Sequence, residues 1–161
     1  MFRIITPDLS EHNHAIALIE LLNIYAIDPM GGGKNLPDYV KQNLVANLLA
    51  RSDTHVIFAL DGEEPIGMII CMEGFSTFSC KPLINIHDVI VKPAYRGKGI
   101  SAMMFERIEQ IAREKGCCKL TLEVLTGNRS AKSAYAKYGF EGYQLDPQMG
   151  EALFWQKKLV Y

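Results

Sequence analysis

Val89-Ile-Val-Lys-Pro-Ala-Tyr-Arg-Gly-Lys-Gly-Ile-Ser-Ala102 is the stretch that decides how this chain is read. The apolar run from Ile86 to Val91 is short, rich in β-branched residues and stopped by Pro93, so it predicts a buried strand. After a brief loop carrying Arg96, Gly97, Lys98 and Gly99, a helical pattern runs from about residue 98 to Lys115. A strand, a glycine-bearing turn and a helix N-terminus together make an anion site. The first helical turn has N–H groups without intrahelical partners, and the helix dipole favours negative charge there. Gly97 and Gly99 let the backbone approach a diphosphate, while Arg96 and Lys98 add positive charge. A surface loop with two glycines and two basic residues is the plain alternative.

Two familiar phosphate loops fit less well. The dinucleotide fingerprint G-x-G-x-x-G would place its third glycine at Ala102. It also wants an acidic residue about 20 residues further on. Glu123 lies near that distance, so the dinucleotide reading stays open. Gly31-Gly-Gly-Lys34 lacks the earlier glycine of a P-loop, has Asn35 where Ser or Thr is required, and follows a helix pattern. It reads as a flexible loop.

A length of 161 residues predicts a single domain over 1–161 with a real core. A net charge of −1 leaves no electrostatic footprint for nucleic acid or an anionic membrane. Cys71, Cys80, Cys117 and Cys118 form no C-x-x-C pair and no His/Cys cluster, so reduced thiols and no metal are expected. Neither a signal pattern nor an apolar run of membrane-spanning length is present in the sequence, and a cytoplasmic protein is expected.

Along the chain, Phe2 to Thr6 predicts a first strand, and Asp8 or Ser10 can cap a helix over about 11–26. A Gly/Pro-rich loop from Asp28 to Pro37 precedes a second helix, from Asp38 as its cap to about Ala50. Strands follow over Thr54 to Leu60, Pro65 to Glu73 and Leu83 to Lys92, with Phe75-Ser-Thr-Phe78 continuing the second arm. Lys119 to Val124 is the next strand, and Asn128 caps a helix stopped by Gly139. Glu141 to Gln144 and Ala152 to Leu159 read as closing antiparallel strands. The order predicts a mixed α/β sheet with helices on both faces.

Arg96-Gly-Lys-Gly-Ile-Ser101 resembles the acetyl-CoA signature [QR]-x-x-G-x-[GA] of the GNAT N-acetyltransferases, with Ser101 where Gly or Ala is usual. Downstream, Asn128-Arg-Ser-Ala-Lys-Ser-Ala-Tyr-Ala-Lys-Tyr-Gly-Phe140 resembles the family pattern N-x-x-A-x-x-x-Y-x-x-x-G-F at every fixed position. The two motifs stand in the family's order, within a resemblance covering roughly Ile57 to Leu159. It implies a GNAT-type, mostly antiparallel sheet with a splayed parallel pair.

The implied activity is transfer of an acetyl group from acetyl-CoA, by direct attack, to a primary amine, with CoA as product. The resemblance assigns the coenzyme cradle to Arg96, Gly97, Lys98, Gly99, Ile100 and Ser101. It adds the splayed strand Val89, Ile90 and Val91, where the Val91 N–H faces the thioester carbonyl and stabilises its developing negative oxygen. From the second motif it adds Asn128, Lys132 and Tyr135, with the Tyr135 phenol as acid for the leaving thiolate. His87 and Asp88, two polar residues in an apolar run, are candidates for the base, and only one of them can face a cleft. A hydrogen-bonded pair at a strand bulge is their other reading. Glu123 is a further candidate.

On the acceptor side, Asp28, Glu73 and Asp146 can hold a cationic amine, and Phe75 and Phe78 can wall it. Phe75-Ser-Thr-Phe78, Ile86-His-Asp88 and Tyr95-Arg-Gly97 look like the diamine (spermidine/spermine and thialysine) branch, where an acidic residue usually holds the position of His87. A small amine or amino acid is therefore the expected partner, with a homodimer possible in this family. A protein N-terminus or lysine as acceptor, and a non-catalytic acyl-CoA-binding module, remain as alternatives.

Overall fold

The computed structural model describes residues 1–144 and 146–159. The chain divides into two compact units, Met1–Leu122 and Glu123–Tyr161. In the first, the elements run β1 (Phe2–Ile5), α1 (His12–Ile27), α2 (Asp38–Leu49), β2 (Thr54–Asp61), β3 (Glu64–Ser76), β4 (Lys81–Val91), α3 (Ile100–Glu114) and β5 (Leu120–Leu122). Short 3-10 turns occupy Pro29–Gly31 and Pro93–Tyr95. Among the described residues five strands form one sheet in the order β1-β2-β3-β4-β5. Neighbours are antiparallel except β4 and β5, which are parallel.

Alternation along the strands assigns the two faces. Val56, Phe58 and Leu60 of β2, with Met68 and Ile70 of β3, bury against Leu18 and Leu21 of α1 and its neighbour Leu48 of α2. The opposite face receives α3, whose residues Ile100, Met104, Phe105, Ile108 and Ile111 are buried at three- and four-residue steps. Gly67 of β3 lies under that helix: a Cβ there would sit 3.0 Å from the Ile90 carbonyl oxygen and 3.3 Å from Met104 Cε. A strand glycine at such a place lets backbone and helix approach.

One register shift falls on β4. Ile70 pairs with Asp88 and Cys71 with Ile86, so His87 has no partner on β3. This is a β-bulge, two residues of one strand opposing one of the other. The parallel ladder to β5 covers only Ile84↔Leu120 to Ile86↔Leu122, while β4 runs on to Val91. Beyond Ile86, β4 therefore has β3 on one side and no ladder on the other among the described residues.

The second unit holds α4 (Arg129–Tyr138), entered from Asn128 and closed by Gly139 at φ 103°. The expected strands at 141–144 and 152–159 do not form. Gln144↔Glu151 is an isolated bridge, and Leu153, Phe154 and Trp155 are all exposed. Aromatic and branched residues favour strands only on a paired, half-buried surface, and no ladder reaches this run among the described residues. Two caps also differ from expectation. Pro37 flanks α2, with Asp38 inside its first turn, and Asp8 accepts from the Ser10 N–H and hydroxyl instead of capping α1.

Candidate active site

The turn between β4 and α3 is a backbone structure. Gly97 and Gly99 stand at φ 77° and 78°, where any side chain is strained. No atom lies within 4 Å of a Cβ at either position, so conformation and not crowding requires glycine there. Gly99 flanks α3 with no side-chain cap, and its carbonyl accepts from the Met103 N–H at 3.2 Å. Among the described residues the N–H groups from Gly97 to Ser101 donate to no protein acceptor. Ile100, buried within this row, pins the open turn to the sheet beside Gly67. Unpartnered donors, a helix dipole and the Lys98 ammonium suit a diphosphate, while Arg96 is paired with Asp28. The Lys98 ammonium rests 4.8 Å from the centre of the Tyr95 ring.

The strand leading into this turn supplies a second set of donors. The Lys92 N–H bonds the Ile66 carbonyl at 2.8 Å. Hydrogen-bonded and open pairs alternate in an antiparallel ladder, so Ile90, opposite Met68, also bonds into β3. Val89 and Val91 are the open pairs, and their N–H groups point away from β3, past the end of the β5 ladder. Of the three residues expected to meet the coenzyme here, Ile90 is thus committed to the sheet, and its side chain is core.

The bulge separates His87 from Asp88. His87 is exposed, while Asp88 is half-buried on the α1 side, opposite Ile70. Burial raises the Asp88 carboxyl above its ordinary value, and the charge of His87 offsets part of that. On the same side Tyr25 of α1 has its phenol pushed up by burial, then by the charges of Asp88 and Asp28. No role was assigned to the Tyr25 side chain from the sequence, where a hydroxyl on the inner face of the first helix was the signal.

Asp28 and Arg96, expected to hold an amine and a phosphate, meet each other instead. Arg96 Nη2 donates to Asp28 Oδ2 at 2.9 Å, and Arg96 Nε donates to the Val91 carbonyl at 3.2 Å. The Met30 N–H, and next the Arg96 guanidinium, hold the Asp28 carboxyl below the ordinary range. Glu73 is spent elsewhere: its Oε1 lies 2.7 Å from both His55 Nε2 and Lys115 Nζ, at the C-terminal end of α3. That neutralised carboxylate is poorly suited to the amine role. Phe75 and Phe78 are exposed at the far end of the β3–β4 hairpin, Phe78 completely.

In the second unit, Asn128 Oδ1 accepts from the Ala131 N–H at 3.2 Å and so caps α4. Tyr135, half-buried, meets Phe140 edge-on at 6.2 Å, and Tyr138 stacks on the same ring at 6.2 Å. Lys132 is exposed on α4. Glu123 is exposed and follows β5 instead of lying within it, because the ladder ends at Leu122. Asp146 accepts from the Gln148 N–H at 2.8 Å within its own turn. Among the described residues, no group of three or more His, Cys, Asp or Glu is placed to hold a metal ion, and no helix is long and apolar enough to cross a membrane.

The acetyltransferase (GNAT) family model matches residues 18–140. The chain is 35% identical over 80 residues to thialysine N-epsilon-acetyltransferase of Bos taurus, a match covering 47% of each chain. It spans about half the length of the curated relatives it matches first. Among solved structures, a probable acetyltransferase superposes with a TM-score of 0.78 at 21% identity, over 97% of this chain and 99% of that one. A second, solved with the bisubstrate analogue CoA-S-monomethyl-acetylneamine, superposes with a TM-score of 0.75 at 15% identity, over 99% of each chain.

Proposed function

The chain belongs to the acetyltransferase (GNAT) family, and from that premise we propose that it transfers an acetyl group from acetyl-CoA to the primary amine of a small molecule. The observation that carries this reading is the row of N–H groups from Gly97 to Ser101, without protein partners among the described residues and reached through the Pro93–Tyr95 turn from a strand whose Val89 and Val91 donors face away from β3. The coenzyme supplies an activated acetyl thioester. The cradle binds its diphosphate through backbone donors and through the charge of the turn. The Val91 N–H, fixed by its strand, donates to the carbonyl oxygen as negative charge develops there.

Asp88 takes a proton from the acceptor's ammonium, directly or through water. A carboxyl raised by burial is a better base than an exposed one, because its conjugate acid holds the proton nearer to neutral pH. The Tyr135 phenol gives a proton from its Oη to the departing sulfur and recovers one from solvent; this role rests on the sequence motif. The thialysine-acetylating relatives support a small amine that carries a second polar group.

Thermal shifts with acetyl-CoA, CoA and NAD test the cradle, since a ligand that binds only the folded state raises Tm. Shifts with the first two and not with NAD are expected, followed by thiol release in the presence of a suitable amine. Tyr135→Phe should lower kcat on the order of a hundredfold with CoA affinity retained. A shift with NAD alone would overturn the reading in favour of a dinucleotide.

A further inference from the structure

Arg96 and Asp28 stand 68 residues apart in sequence, and each bears a charge that a ligand could use. In the folded chain they are spent on one another. The bonds run in series from the turn after α1 to the end of β4. The Asp28 carbonyl accepts from the N–H groups of Gly31 and Gly33 at 2.8 and 3.1 Å. Its Oδ1 accepts from the Met30 N–H at 2.9 Å. Its Oδ2 accepts from Arg96 Nη2 at 2.9 Å, and Arg96 Nε reaches the Val91 carbonyl at 3.2 Å. The turn has no slack, because a Cβ on Gly31 would lie 1.9 Å from the Tyr25 carbonyl oxygen.

Stability does not account for this arrangement. The Arg96 side chain is 52% exposed and that of Asp28 20%, so solvent screens the pair from the guanidinium side and its net contribution is modest. A guanidinium is planar, however, and its donors diverge at fixed angles, so two acceptors held at once fix its orientation. The N–H and C=O of one strand residue point to the same side. Arg96 therefore grips the residue whose N–H faces the open side of β4.

We propose that Asp28 is a positioning residue: acting through Arg96, it ties Val91 to the turn after α1 and so fixes the donor for the thioester carbonyl, instead of holding the amine itself. The catalytic part of this proposal rests on the acetyl-transfer reading, whereas the tie between the two loops does not.

Asp28→Asn, Arg96→Gln, the double variant and Arg96→Lys, each in the full chain, provide the test. Each single change should lower kcat on the order of tenfold to a hundredfold, the range in which misplaced groups act, with KM for the amine held within roughly twofold. The double variant should be no worse than the poorer single one, because both break the same connection. Arg96→Lys should fail to rescue, since an ammonium lacks the divergent fork. A raised amine KM with unchanged kcat in Asp28→Asn, absent from Arg96→Gln, would make Asp28 a direct amine contact and overturn the proposal. Additive losses in the double variant would overturn it equally. Amide hydrogen exchange decides the matter without turnover: Asp28→Asn and Arg96→Gln should both speed exchange at Gly31 and Gly33. Unchanged exchange in Arg96→Gln removes the tie even if the wild-type protein acetylates amines. Faster exchange in both, with no amine acetylated by the wild type, retains the tie and removes the acetyl-transfer reading alone.

Discussion

Helices α3 and α4 each carry one of the two sequence motifs, and they begin in opposite ways. At the start of α3, Gly99 sits at φ 78° and offers no side chain, and the N–H groups of the turn keep no protein partner among the described residues. At the start of α4, Asn128 bends its own carboxamide back onto the Ala131 N–H. The helices differ as much in anchorage: six side chains of α3 are buried, and none of those on α4. A helix held by a deep apolar face can leave its first turn unsatisfied, because burial of that face maintains it. A helix without such a face depends on its cap. The open terminus of α3 is thus a consequence of its firm seat on the sheet, and that combination marks a site where an uncapped turn alone would not.

The comparison can be broken at three places. Gly99→Ala forces a side chain into the left-handed region at a cost of about 1–2 kcal/mol. Urea unfolding should show that loss, and calorimetry with CoA should show weaker binding from the displaced donors. Unchanged CoA affinity in this variant would mean that the turn is not the cradle. Asn128→Ala removes a side-chain cap, an effect of about 1 kcal/mol on the helix it starts. Amide exchange across residues 129–138 should quicken while α3 stays protected; equal quickening in both helices would erase the distinction drawn between them.

The smallest effect belongs to β4, which feeds α3. The Asp88 carboxyl is raised in the folded chain, so as pH climbs through the ordinary carboxylate range, from about pH 4, the unfolded chain releases its proton first. Folding stability from this group then falls with rising pH until the raised value is passed, and stays reduced above it. Asp88→Asn should therefore gain on the wild type as pH rises across that window in a series of urea midpoints. A difference that stays flat with pH would mean that burial does not raise the Asp88 carboxyl.

Elements whose cause is local were readable in advance. The strand ending at Pro93, the glycine turn, the α3 stripe and the Asn128 cap all lie within spans of a few residues, and each formed. What escaped depends on register or on distant pairing. A strand bulge was one of the two readings of His87 and Asp88, but which of them lacks a partner is visible only against the β3 ladder. The engagement of Glu73 by His55 and Lys115 requires β2, β3 and the end of α3 to be assembled first. Composition favoured a strand at 152–159, but strand propensity describes fitness for a sheet surface and provides no neighbour.

The unpartnered His87 has a consequence for how this chain can change. It inverts the parity of β4: Asn85 before it shares the α1 side with Met72, and Asp88 and Ile90 after it share that side with Ile70 and Met68. Were His87 paired in an uninterrupted two-residue repeat instead of being bulged out, Asp88 would turn toward α3 and Val89 toward α1. Loss of the His87 codon, by contrast, would keep the faces of Asp88 to Val91 as they are, because Ile86 and Asp88 already stand opposite the consecutive residues Cys71 and Ile70; it would remove the bulge and not the alternation. Substitutions at His87 leave the count intact and are free to vary its chemistry. The position is an insertion that the alternation on either side absorbs, and it bends β4 where the ladder to β5 ends.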